Sequence, residues 1–257
     1  MRYLKSAVGV AAVFAMSFII PAQAESFQAG DIDNGRKIFM EGKGDAVPAC
    51  QSCHGAGGLG QDDMGTPRLA HQVFAYEIKQ LTDFATDKRI DNTMGAMNGV
   101  AKGLTPQERR DVITYVESLK TPFLGSDLKS LKEDGVDVGD RSRGAMIVEY
   151  GAEGIVSCKS CHGFHGRSAG RIFPMLGGQR YVYLLNQLHA WKDGTVDNGR
   201  ANDPMGMMRK VAATMSEKDM QDVAAFLTGA LPYTSGNPMA PPRGARGFEL
   251  KNTGGSH

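Results

Sequence analysis

The feature that most constrains this 257-residue chain is a pentapeptide written twice. Cys50-Gln51-Ser52-Cys53-His54 returns 108 residues later as Cys158-Lys159-Ser160-Cys161-His162. The flanks return with it. Gly35-Arg36-Lys37-Ile38 faces Gly144-Ala145-Met146-Ile147. Pro67-Arg68-Leu69-Ala70-His71-Gln72 faces Pro174-Met175-Leu176-Gly177-Gly178-Gln179. Tyr76, Gln80 and Leu81 face Tyr183, Gln187 and Leu188, and Leu104-Thr105 faces Met215-Ser216. Self-similarity at a nearly constant offset means one domain of about a hundred residues, duplicated.

The remaining segments fall outside the repeat. Arg2 and Lys5 precede a 14-residue apolar run from Ala7 to Ile20, then Pro21 and Ala22-Gln23-Ala24. A charged start, a run shorter than the ~20 residues that span a bilayer and a small-residue site read as an export signal cleaved after Ala24. The expected organisation is a signal peptide at 1–24, a first domain at 25–122, a linker at 123–140, a second domain at 141–234 and a Pro/Gly-rich flexible tail at 235–257. The mature protein is expected in the periplasm.

Within each copy the pattern is helical. Thr105-Pro106-Gln107-Glu108 is a capping box with proline at the first helical position. Val112, Ile113, Val116 and Leu119 then recur on one helical face. Ser216 and Asp219 start the matching helix. Further helices are expected at 33–41, 74–84, 143–150 and 181–191. Alternating strand patterns are missing, so the fold class expected is all-α.

C-x-x-C-H is the signature of covalent c-type haem attachment. On one helical turn, thiols at i and i+3 point the same way, and each can add across one haem vinyl group. The histidine that follows supplies the proximal nitrogen to iron. A zinc half-site or a redox disulfide uses C-x-x-C too. A four-cysteine zinc site, however, places its pairs ~15–20 residues apart, and neither alternative needs a histidine immediately afterwards, twice. Cys50, Cys53, Cys158 and Cys161 are therefore the expected haem-attachment residues, and His54 and His162 the expected iron ligands.

The sixth ligand separates electron carriers from oxygen or peroxide chemistry. Methionine thioether is soft and raises the potential. Met97 and Met208 each stand eight residues before the cap of the last helix, and this duplicated placement makes them the expected axial pair. Met94 and Met205 are the alternative pair. His71, His165 and His189 lack counterparts at equivalent positions and read as surface or haem-edge residues. The carbonyls of Pro67 and Pro174, 13 and 12 residues after the histidines, are placed to accept the imidazole Nδ1–H. The 33 glycines, several following each motif, suit backbone folded closely around a large planar group.

With these residues the chain resembles the cytochrome c4 family, di-haem class I cytochromes c of the bacterial periplasm. The resemblance rests on Cys50–His54, Pro67–Gln72 and Met97 with Leu104-Thr105, and on Cys158–His162, Pro174–Gln179 and Met208 with Met215-Ser216. It implies two tandem class I cytochrome c domains, each wrapped around one covalently attached haem. It also implies electron transfer, commonly toward a terminal oxidase. His71 and Val148 depart from the family pattern.

The expected function is electron transfer without catalysis. The expected partners are redox proteins: a bc1-type donor, a terminal oxidase or a periplasmic dehydrogenase. Peripheral membrane association is compatible with this. The alternative is a cytochrome subunit of a larger oxidoreductase, for example one oxidising sulfur compounds; a di-haem enzyme ranks below both. A cysteine-ligated enzyme haem would need a fifth cysteine, and the chain has four. A net charge of +1 lacks the basic excess of a general nucleic-acid binder. The second repeat is the more basic. Lys159, Arg167, Arg171, Arg180, Arg209 and Lys210 are expected to ring the second haem's edge and to attract an acidic partner.

Overall fold

The computed structural model describes residues 30–230 apart from 169, 171 and 195–199. The export signal and the tail expected at 235–257 lie outside the described residues. Among the described residues there is no strand beyond three isolated bridges, Lys43–Val47, Gln61–Thr66 and Ala152–Ile155. The rest is helix and loop, in two copies of one plan.

The first copy contains α1 (Ile32–Glu41), α2 (Cys50–His54), α3 (Phe74–Ala85), α4 (Met97–Gly103) and α5 (Pro106–Ser118). A short α6 (Leu128–Glu133) follows. The second copy contains α7 (Arg141–Tyr150), α8 (Lys159–His162), α9 (Tyr181–Asp193), α10 (Met207–Ala213) and α11 (Glu217–Thr228). The starts are written in the sequence. Asp31 and Asp140 cap α1 and α7 by accepting from the second and third residues after them. Both capping boxes form, Thr105 with Glu108 and Ser216 with Asp219.

In each copy the first and last helices cross in close contact. A Cβ at Gly35 would collide with the carbonyl of Asp111, and one at Gly144 with the carbonyl of Asp222, so only glycine lets the backbones meet. The same aspartates tie the crossing. Asp111 accepts from Asp31 N at 2.8 Å and Asn34 Nδ2 at 2.7 Å, and Asp222 from Asp140 N and Arg143 Nη1, both at 2.6 Å. Phe39, Val112, Ile113 and Val116 fill the first core. Val148 takes the place of Phe39 in the second, beside Ile147, Tyr181, Met220 and Val223.

The segment expected to be a plain linker is more than that. Leu128 and Leu131 of α6, with Val136 and Val138 after it, pack against the second core. The hydroxyl of Tyr181 donates to the carbonyl of Asp137 at 2.8 Å. The acidic composition of this stretch concealed four spaced apolar residues, enough for one short amphipathic face.

A cofactor site in each domain and a buried junction between them

Each C-x-x-C-H forms a short helix that delivers its histidine inward. His54 and His162 are 7% and 5% exposed. Their Nδ1 atoms lie 3.1 Å from Pro67 O and 3.0 Å from Pro174 O, the contacts expected from the sequence. Burial pushes both imidazoles below the ordinary histidine value, with the proline carbonyl acting the other way. A neutral ring that donates from Nδ1 presents a bare Nε2 lone pair, the form a metal requires.

All four cysteines are free of disulfides. Burial pushes the Cys50 and Cys158 thiols up to about 11, and backbone hydrogen bonding opposes this. No group of three or more His, Cys, Asp or Glu that would hold a bare metal ion occurs among the described residues.

The methionine segments are held by aspartates. Asp91 accepts from the backbone N–H groups of Thr93, Ala96 and Met97 at 3.0–3.1 Å. Asp203 takes the backbone N–H and Nε of Arg209 at 3.1 and 2.9 Å. Met97 and Met208 are half-buried at the starts of α4 and α10. Met94 and Met205 are 48% and 82% exposed.

His71, His165 and His189 have partners that are not metals. His71 Nε2 lies 2.9 Å from Thr121 O, His165 stacks on Phe164 and meets Phe226 edge-on, and His189 pairs with Glu217 at 2.6 Å.

Most of the basic residues expected around the second site are engaged within the protein. Arg180 reaches across to Leu59 O at 2.8 Å and Asp62 at 3.5 Å in the first domain. Arg209 is spent on Asp203, Lys159 pairs with Glu149 at 3.3 Å, and Arg167 is 4% exposed. Lys210 is exposed, and Arg171 lies outside the described residues. Composition fixed the sign of the second repeat but not where its charges point.

Sequence reasoning missed the junction between the copies. Equivalent residues meet there in a reciprocal pattern. Arg89 donates to Gln80 Oε1 at 2.8 Å, Gln187 Oε1 at 2.9 Å and Tyr183 OH at 3.3 Å. Arg200 donates to Gln187 Oε1 at 2.8 Å, Gln80 Oε1 at 2.9 Å and Tyr76 OH at 3.3 Å. Arg89 also lies over Phe84 and Arg200 over Trp191, at 4.4 and 4.1 Å. Both guanidiniums are buried, at 7% and 3% exposure. Burial, then the charge of Arg89, works against the charged form of Arg200. Neither arginine makes an ion pair with a carboxylate among the described residues. Burial opposes the charge of Arg89 too, but Tyr183, Tyr76 and Asp91 favour it. Haem brings two carboxylates per molecule, so the residues present fit the group on two counts, a bare imidazole nitrogen in each domain and two buried guanidiniums between them with no direct carboxylate partner among the described residues.

The cytochrome c family model matches residues 32–120 and 148–230. The chain belongs to the cytochrome c family, and within it to the di-haem cytochromes c4. It is 33% identical to the cytochrome c4 of Pseudomonas aeruginosa over 70% of this chain and 83% of that one. It is 36% identical to a thiosulfate dehydrogenase electron acceptor of Stutzerimonas stutzeri, over 78% of this chain and 88% of the relative. Among solved structures it is similar to a thiosulfate dehydrogenase of Marichromatium purpuratum, with a TM-score of 0.64 and 28% identity. That match covers 85% of this chain and 42% of the other, so the chain spans under half the length of that protein. Two covalently attached c-type haems and electron transfer follow from the family.

Proposed function

We propose that this di-haem cytochrome is the periplasmic electron acceptor of a dehydrogenase acting on thiosulfate, and that it passes electrons on toward a terminal oxidase. What carries this reading is the relative from Stutzerimonas stutzeri, alike over most of both chains. The alternative donor is a bc1-type complex.

On this reading Cys50 and Cys53 hold one haem through thioether bonds and Cys158 and Cys161 the other. His54 and His162 bind the two irons through Nε2, and Met97 and Met208 complete the coordination. The haems supply one-electron chemistry. The polypeptide fixes the imidazoles through Pro67 and Pro174, excludes water from both histidines and sets positive charge between the two sites. With His54 and Met97 holding one haem and His162 and Met208 the other, neither iron would keep an open position for a substrate, which suits a carrier. No helix among the described residues is long and apolar enough to cross a membrane.

The test is reduction of the haem-loaded protein by thiosulfate plus purified thiosulfate dehydrogenase, followed at the haem absorption bands. Uptake of two electrons per chain is expected. Reduction by a bc1-type donor but not by the dehydrogenase would move the protein to the alternative. Rapid carbon monoxide binding to the reduced protein would reveal an open iron and overturn the carrier reading.

A further inference from the structure

The two copies differ where they face solvent beside their attachment helices. α1 and α7 share a register, from the capping Asp31 and Asp140 to the terminating Gly42 and Gly151. Asp33, Arg36, Lys37 and Glu41 on α1, with Lys43 just beyond it, correspond to Ser142, Ala145, Met146, Tyr150 and Ala152. Five charged positions in the first domain are thus uncharged in the second, while Ile32, Asn34, Met40 and Gly44 correspond to Arg141, Arg143, Glu149 and Glu153; of these Arg143 pairs with Asp219 and Asp222, and Glu149 is buried. Met146 and Tyr150 lie one turn apart on one face, at 57% and 73% exposure. Val156, 62% exposed, stands two residues before Cys158, and its backbone packs against Gly151 at the end of α7. The neighbouring cation is neutralised within the domain. Lys159 lies 3.3 Å from Glu149 and 5.1 Å over the Tyr150 ring.

We infer that Met146, Tyr150 and Val156 form the surface on which the electron donor docks, and that the donor is a redox protein presenting an uncharged, apolar rim around its own cofactor edge. This rests on the function proposed above for the identity of the donor. The composition is that of an interface centre, where Tyr and Met are enriched and charges depleted. An exposed apolar cluster beside the attachment helix is also where close approach is useful for electron transfer. The partner follows from charge and size. Exposed apolar side chains whose one neighbouring cation, Lys159, is paired with Glu149 complement an uncharged surface. Three side chains are far fewer than the ~20–30 residues a side of a stable dimer, and match the small, short-lived encounters of redox partners. One electron leaves the donor, which is oxidised by one unit, and the second domain is reduced by one.

The test compares wild type with the double variant Met146→Lys/Tyr150→Glu, which carries the charges that α1 bears at the same positions. Both side chains are exposed, so the fold is not at stake. Each protein, loaded with haem, is mixed in stopped flow with thiosulfate dehydrogenase reduced by thiosulfate, at several salt concentrations. The expected result is a drop of about tenfold or more in the second-order rate constant, the effect of disrupting an interface centre. Wild type should show little salt dependence, as an uncharged contact requires. Reduction by ascorbate should be unchanged. The mirror variant Lys37→Met/Glu41→Tyr in the first domain should stay within about twofold of wild type.

An unchanged rate in the double variant overturns the surface, and so does a loss that the mirror variant shares. Self-association of wild type that the variant abolishes would assign the patch to a second copy of the chain. Liposome binding that the variant abolishes would assign it to a membrane. If the dehydrogenase fails to reduce even wild type, the proposed function falls, and the same variants assayed against a reduced mono-haem c-type cytochrome decide the surface alone.

Discussion

Gln179 holds the backbone of Arg68 at both ends. Its Oε1 accepts from Arg68 N at 2.7 Å and its Nε2 donates to Arg68 O at 2.8 Å. Gln72 does the same to Met175, at 2.7 and 3.0 Å. Each domain thus uses one glutamine to complete the backbone hydrogen bonding of the other, just after the proline that orients its histidine. Gln179→Leu removes both partners from a buried N–H and C=O, at about 1–3 kcal/mol each, offset in part by the apolar side chain. Urea unfolding of the haem-loaded protein should show a loss of about 2–4 kcal/mol. A loss within ~0.5 kcal/mol, the range of an ordinary surface change, would mean that the clamp carries no stability.

Arg200 belongs to the second domain and donates to Gln80 and Tyr76 of the first. A buried positive charge disfavours the ferric iron, so Arg200→Met should lower both haem potentials, including that of the domain in which no residue has changed. The expected shift is tens of millivolts, where about 59 mV is tenfold in a one-electron equilibrium. A redox titration resolving the two haems reads it. A shift confined to the second haem would show that the junction is not shared.

Much of this architecture was legible because it is local. Caps, helix registers and the Pro67 and Pro174 contacts lie within 13 residues of the motif that implies them. His71 was legible only in part. It stands opposite Gly178, and both adopt positive φ, 67° and 68°, so the departure from glycine places a side chain in a left-handed conformation, where its Nε2 meets Thr121 O. The junction was not legible. Its contacts between the copies join residues 94–124 apart, such as Arg89 to Tyr183 and Arg200 to Tyr76, and nothing in a repeat says that its copies touch through equivalent faces. The charge excess of the second repeat misled because net charge does not show pairing: Arg180 reaches Asp62 of the first domain and Arg209 pairs locally with Asp203.

Glu77 is a buried carboxyl whose two oxygens have no hydrogen-bond partner, at the position that Leu184 fills in the second domain. Burial, then repulsion from Glu117, pushes it well above the usual carboxylate range. The folded state therefore holds a proton that the unfolded state releases above a pKa near 4.5. Stability must fall as pH rises from that value toward the folded pKa. Glu77→Leu should remove this dependence, stabilising the protein by about 1–3 kcal/mol at pH 8 and by progressively less toward pH 4.5. Thermal melts across that range check it, and an equal gain at all pH values would show that only packing had changed.

The axial assignment can be read without any partner. Met97 opens α4 and Met208 is the second residue of α10, both half-buried, while Met94 and Met205 stand more exposed. Thioether ligation gives ferric haem a far-red charge-transfer band and a raised potential, and a second imidazole removes the band and lowers the potential. Met97→His and Met208→His should each abolish the band of one haem and leave the other intact, and the double variant should have none. Met94→Leu and Met205→Leu should keep both bands. Survival of both bands in Met97→His/Met208→His, with a loss in Met94→Leu or Met205→Leu, would transfer the role to the exposed pair.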